Sequence, residues 1–171
     1  MWPFQARTKP IETKAELAGK AFWKVSGEYA AAVLSVVHPT DYADRNMGVL
    51  MPTFAEVIAF AMHVTSRIAL SRLGEAHRAV FMDALFPVVL RLCPMEIEGQ
   101  LQHLYNRREV QYGACKKPFA AEGEPLKGTL LWEFARVVID DDIVVILAVI
   151  DAGTQMIGSL QSQYDKARVF D

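Results

Sequence analysis

The chain has 171 residues, of which 52% are hydrophobic and 22% charged, and its formal net charge is −2. This composition excludes disorder over the whole length, supports a real core without cross-links, and gives no general attraction for nucleic acid. One domain is the natural division at this length, and two cysteines, Cys93 and Cys115, cannot build a disulfide framework.

The opening, MWPFQARTKP, lacks the apolar segment of a signal peptide and suits a small bacterial, cytoplasmic protein. It reads as an N-terminal arm over 1–12, ahead of a single helical domain over 13–171. Trp2 and Phe4, beside Arg7 and Lys9, offer a weak means of touching a membrane surface. Thr13 followed by Glu16 matches a capping box, which predicts Thr13 as an N-cap. Beyond it Phe22, Val25, Tyr29, Ala32 and Val36 recur at helical spacing, Gly27 softens the middle, and Pro39 ends the run. HPTDYADRNMGVLMP, residues 38–52, is dense in turn formers and is expected to be a loop.

Thr53 and Glu56 form a second capping box, which predicts a helix from Thr53 to Gly74. At 100° per residue, Val57, Ala61, Val64 and Ile68 make one apolar stripe, and Ile58, Met62, Ala69 and Leu73 a second. A helix apolar over so much of its circumference belongs at the centre of its domain. Glu56, His63 and Arg67 share the narrow remaining face, within about 40° of one line. That row could grip an anionic ligand, but it is expected to be a solvated stripe.

A third helix starts at Glu75, is kinked or divided by Pro87, and ends at Pro94. In the fourth, Ile97, Leu101, Leu104, Tyr105 and Tyr112 form the apolar stripe, with Arg108 in its middle and Arg107 on the polar face. A guanidinium inside an apolar face needs a partner, and Glu133 is the expected one. GACKKPFAAEGEPLKG, residues 113–128, is a surface loop. Lys116 and Lys117 would lower the Cys115 thiol pKa, but no base accompanies it, so a reactive thiol is not expected. The cations and aromatics of NRREVQYGACKK make only a weak nucleic-acid patch, opposed by nearby glutamates.

Leu126, Leu130, Phe134 and Val137 keep helical spacing, and so do Ile146, Ile150, Ile157, Leu160 and Tyr164. Two helices meeting at Asp140–Asp142 explain both runs, with one aspartate capping the second helix. A hairpin around the aspartates is the alternative. The apolar run Ile143–Ile150 is far short of the roughly 20 residues of a membrane span. Asp151 lies about 180° round the axis from Asp142, so the aspartates have no converging partner and no metal is expected.

An all-α bundle of five to seven helices follows. Nucleotide-binding loops, zinc-protease and serine-hydrolase signatures, paired CxxC and repeated ExxH are all missing from the sequence. No cofactor is expected. The favoured function is interaction with a protein partner of accessory, adaptor or toxin-neutralising type, or with a second copy of the chain. The alternative is a small-ligand or enzymatic domain with a site around Arg108, Glu133 and His63.

Overall fold

The computed structural model describes residues 10–139 and 141–171. Among them the chain forms seven helices: α1 (Ile11–Val37), α2 (Pro39–Asp44), α3 (Met47–Leu73), α4 (Glu75–Leu92), α5 (Met95–Gly113), α6 (Leu130–Val138) and α7 (Ile143–Ala167). The only β-type pairing among the described residues is an isolated bridge between Lys117 and Thr129. The fold is therefore the all-α bundle that the periodicity predicts. Trp2, Phe4 and Asp140 lie outside the described residues.

Helix α3 is the axle. Its two apolar stripes are separated by so narrow a polar strip that neighbours must cover almost every side. The whole run Val57 to Met62 has no solvent exposure. Helices α1, α4, α5, α6 and α7 all contact α3, while α1 also packs along α4 and α7. Phe60 stacks on Phe134 of α6, with ring centroids 4.3 Å apart, and Tyr29 of α1 leans on both rings. Helices α1 and α7 run antiparallel. Tyr29 donates its hydroxyl hydrogen to the Val149 carbonyl at 3.3 Å, and near the other end Lys14 reaches the Asp171 carbonyl. The approach is close because of Gly153: a Cβ there would stand 2.1 Å from Leu131 Cδ2 and 2.9 Å from the Tyr29 hydroxyl.

The helix starts correct several sequence expectations. Thr13 is not the N-cap of α1. The helix begins at Ile11 behind Pro10, whose fixed φ leads into it and whose carbonyl accepts from Lys14 N at 3.1 Å. Nor does Thr53 cap α3, which begins six residues earlier and runs through Pro52. The segment 38–52 is thus mostly helical. Helix α2 closes with Arg45 in the left-handed region (φ 55°), and the Asn46 amide nitrogen donates to the Asp41 carbonyl. This tight reversal lets α3 start at Met47. Thr53 is left to bond the His38 ring at 2.9 Å.

Pro87 does not divide α4. It lies on the exposed side of the helix, as does Asp83, so the carbonyl that proline leaves without an N–H partner belongs to a residue facing away from the core. Helix α6 starts at Leu130, not Leu126. Gly128 takes φ 80°, and the Thr129 hydroxyl accepts from the Trp132 amide at 3.2 Å. The start of α7 agrees with the sequence: Asp142 Oδ1 accepts from the Val144 and Val145 amides at 3.0 and 3.2 Å, and Asp141 pairs with Arg136. The apolar run Ile143–Ile150 proves to open a 25-residue helix. By length and composition alone, α3 and α7 are both apolar enough to cross a membrane, and over half of the α3 window is buried in the bundle. Beyond Leu147 the exposed positions of α7, such as Asp151, Gln155 and Lys166, are polar.

Candidate functional site

The polar strip of α3 is a seam against α5, not a solvated stripe. Along α3, His63 stands about two turns beyond Glu56 and Arg67 about one turn beyond His63, and each of the three meets α5. Glu56 takes Arg108 in a two-pronged pair: Arg108 Nε donates to Oε2 at 3.0 Å and its terminal nitrogen to Oε1 at 2.7 Å. Both side chains are 14% exposed. The hydrogen bonds to Glu56 raise the Arg108 pKa further above its ordinary value.

Arg108 is therefore paired in the apolar stripe as expected, but with Glu56, not Glu133. The helical phase explains the difference: Glu56 faces α5 directly from the central helix, whereas Glu133 lies on the short α6. Glu133 enters the network one step removed. The other terminal nitrogen of Arg108 donates to Gln111 Oε1 at 3.0 Å, and Gln111 donates to Glu133 at 3.5 Å. Arg107, 55% exposed, comes only within 3.8 Å of Glu56. Beside the pair, the Tyr112 hydroxyl is buried with no hydrogen-bond partner, and burial followed by the Glu56 charge drives its pKa far up.

Two turns along, His63 lies flat on Tyr105, ring centroids 4.2 Å apart, and edge-on to Tyr112. Its Nε2 is 3.0 Å from the Tyr105 carbonyl. A carbonyl only accepts, so Nε2 carries the hydrogen. Burial lowers the His63 pKa to about 4, and nearby Arg67 lowers it too. The ring is therefore neutral near pH 7. Arg67 donates to the Tyr112 and Cys115 carbonyls at 2.6 and 2.7 Å, tying the C-terminal end of α5 to α3.

This end of the seam opens into a cavity of about 280 Å³, lined by His63, Ser66, Arg67, Arg78, Tyr105 and Glu109, with Tyr112 and Cys115 also in its wall. Arg78, from the first turn of α4, donates to Ser66 Oγ at 2.9 Å and pairs with Glu75. The sequence pattern did not single out Ser66, Arg78, Tyr105 or Glu109 as site residues. The available signal was Gly74 (φ 74°), which folds α4 back so that Arg78 returns to the level of Ser66. The thiol of Cys115 is corrected as well. Burial, then Glu133, raises its pKa, and Lys116 and Lys117 do not offset them. Lys117 is instead paired with Glu124. Among the described residues no three His, Cys, Asp or Glu side chains group as a metal site would require.

A second concave surface lies between α1, α2 and α3. It is a groove of about 640 Å³ whose walls include Leu34, Tyr42, Met47, Leu50, Met51 and Phe54. Met47 is 50% exposed at the rim, and Arg45 also lines the groove. This groove exists because 38–52 is helical, so it was illegible while that segment read as a loop.

Comparison of the chain with protein-family models, with curated proteins and with solved structures finds no match in any of the three.

Proposed function

We propose that this protein works by protein–protein interaction in the cytoplasm, seating an apolar helical segment of a partner protein in the groove between α1, α2 and α3. The carrying observation is the groove itself: methionine, leucine, tyrosine and phenylalanine side chains line an open concavity next to exposed Met47. Methionine-rich grooves accept the apolar face of an amphipathic helix because the thioether side chains adapt to it. Arg45 has no carboxylate partner among the described residues and stands ready for an acidic residue flanking such a helix. Two free thiols suit a reducing compartment. The cations of the 106–117 stretch that engage Glu56 and Glu124 leave little charge to attract nucleic acid. A site centred on Arg108 and Glu133 is less favoured, because Arg108 already has all three of its guanidinium nitrogens engaged.

The test is comparative affinity capture from the native host with wild-type, Met47→Asp and Val110→Asp baits. Val110 is 84% exposed on α5 and serves as an apolar surface control. The proposal expects a species held by wild type and Val110→Asp and lost by Met47→Asp. Equal capture by all three baits removes the groove from the account.

A further inference from the structure

We infer that the cavity at the Arg67 end of the α3–α5 seam binds a small oxyanion, a phosphate or carboxylate group held between Arg67 and Arg78. This site is separate from the groove, and the inference does not depend on the protein-interaction reading. Arg67 is held by two backbone carbonyls, and no carboxylate lies within ion-pair distance of it among the described residues. Carbonyl dipoles fix the guanidinium in place without cancelling its charge.

Arg78 adds a second cation and an unmet donor. Its two terminal nitrogens serve Ser66 and Glu75, but its Nε is buried with no acceptor. A buried donor without a partner is costly, and an incoming oxygen would remove that cost. Guanidinium groups are planar, multiply donating and always charged, which suits them to the flat or tetrahedral oxygen arrays of carboxylate and phosphate. Arg67 is held by two α5 carbonyls, and Arg78 by buried Ser66 and surface Glu75, so little ordering accompanies capture.

Size narrows the ligand. The cavity volume of about 280 Å³ is just below the roughly 300–1,000 Å³ range of small-molecule sites. It admits inorganic phosphate or a short carboxylate, not a nucleotide. Two acidic groups oppose the anion. Glu109 is exposed in the cavity wall, and Glu75 is paired outward with Arg78. Glu109 sets the sign of a diagnostic variant, since its neutralisation should strengthen binding.

The experiment titrates the full chain, at low ionic strength and near pH 7, with inorganic phosphate in one arm and with acetate and benzoate in the other. Chloride at matched ionic strength is the control. Binding is read by calorimetry and by the His63 ring resonances. The account expects saturable binding in at least one arm, with the His63 signals moving. A charge-assisted donor is lost in Arg78→Gln, so affinity should fall about tenfold or more. Glu109→Gln should raise affinity severalfold, and Arg72→Gln, which breaks only an exposed pair with Asp165, should leave it unchanged. The arm that saturates identifies the anion class. No saturable binding in either arm overturns the inference, and so does binding that is indifferent to both Arg78→Gln and Glu109→Gln.

Discussion

Replacing Arg108 with alanine should destabilise the fold far more than the same change at Arg107, one residue away. Arg108 makes a two-pronged pair with Glu56, and each partner is only 14% exposed. Removing the guanidinium leaves the Glu56 carboxylate in the seam with only the 3.8 Å approach of Arg107. Breaking a buried pair from one side costs about 3–5 kcal/mol, and the residual exposure here points to the lower end. A loss of about 3 kcal/mol corresponds to a Tm lowered by roughly 6–12 °C in a chain of this size. Arg107 is more than half exposed, and its removal should cost no more than about 1 kcal/mol. Urea denaturation followed by circular dichroism, with Glu56→Ala and the double variant completing a cycle, gives both the costs and their coupling. The double change Glu56→Leu with Arg108→Met removes both charges together and should be much milder than Arg108→Ala alone. Arg108→Ala within 0.5 kcal/mol of Arg107→Ala, on the scale of about that size for surface changes, or additive single changes at Glu56 and Arg108, would refute the seam as described.

His63 makes stability depend on pH. Its folded pKa, about 4, is below the usual 6.5, so between those values the unfolded chain binds more protons than the folded one. Stability should be full above about pH 6.5 and fall as pH drops toward 4, by roughly 3 kcal/mol from this group, and His63→Gln should flatten that slope. Gly153→Ala should destabilise by about 1–3 kcal/mol because its methyl group meets buried Leu131, whereas Gly158→Ala, with open space around it, should stabilise by about 0.5–1 kcal/mol. Thermal melts of the two variants that shift in the same direction would contradict the close approach of α7. Asp142→Ala should cost about 1 kcal/mol through loss of the α7 cap, and Asp141→Ala about 0.5 kcal/mol or less, as denaturant midpoints would show.

Periodicity made the helices legible, because a stripe at 3.6-residue spacing has few other uses. The two-striped face of α3 even located the centre of the bundle. Starts were harder to read. The T-x-x-E boxes at Thr13 and Thr53 have the right chemistry, but Pro10 and the reversal at Arg45 open their helices earlier and take the capping positions away. The row Glu56, His63 and Arg67 was visible as a row. Its environment was not, since a lone sequence cannot say whether a polar strip faces water or another helix. The same limit assigned Arg108 to Glu133: both carboxylates were visible, but only packing brings Glu56 opposite. Arg78 joins the cavity through the fold of α4 back on α3, a relation between helices that no spacing within one helix encodes.

Site-specific photo-cross-linking from Tyr42 tests the proposed function most directly. Tyr42 lines the groove and is partly exposed, so a photoreactive phenylalanine analogue fits in its place. The same probe at Lys166, on the exposed polar side of α7, is the control. Irradiation in the native host should give a discrete adduct from position 42, none from 166, and no adduct once Met47→Asp is added. An adduct of twice the chain mass would identify the partner as a second copy. Absence of any adduct from position 42, or the same adducts from both positions, would contradict the groove as the binding surface.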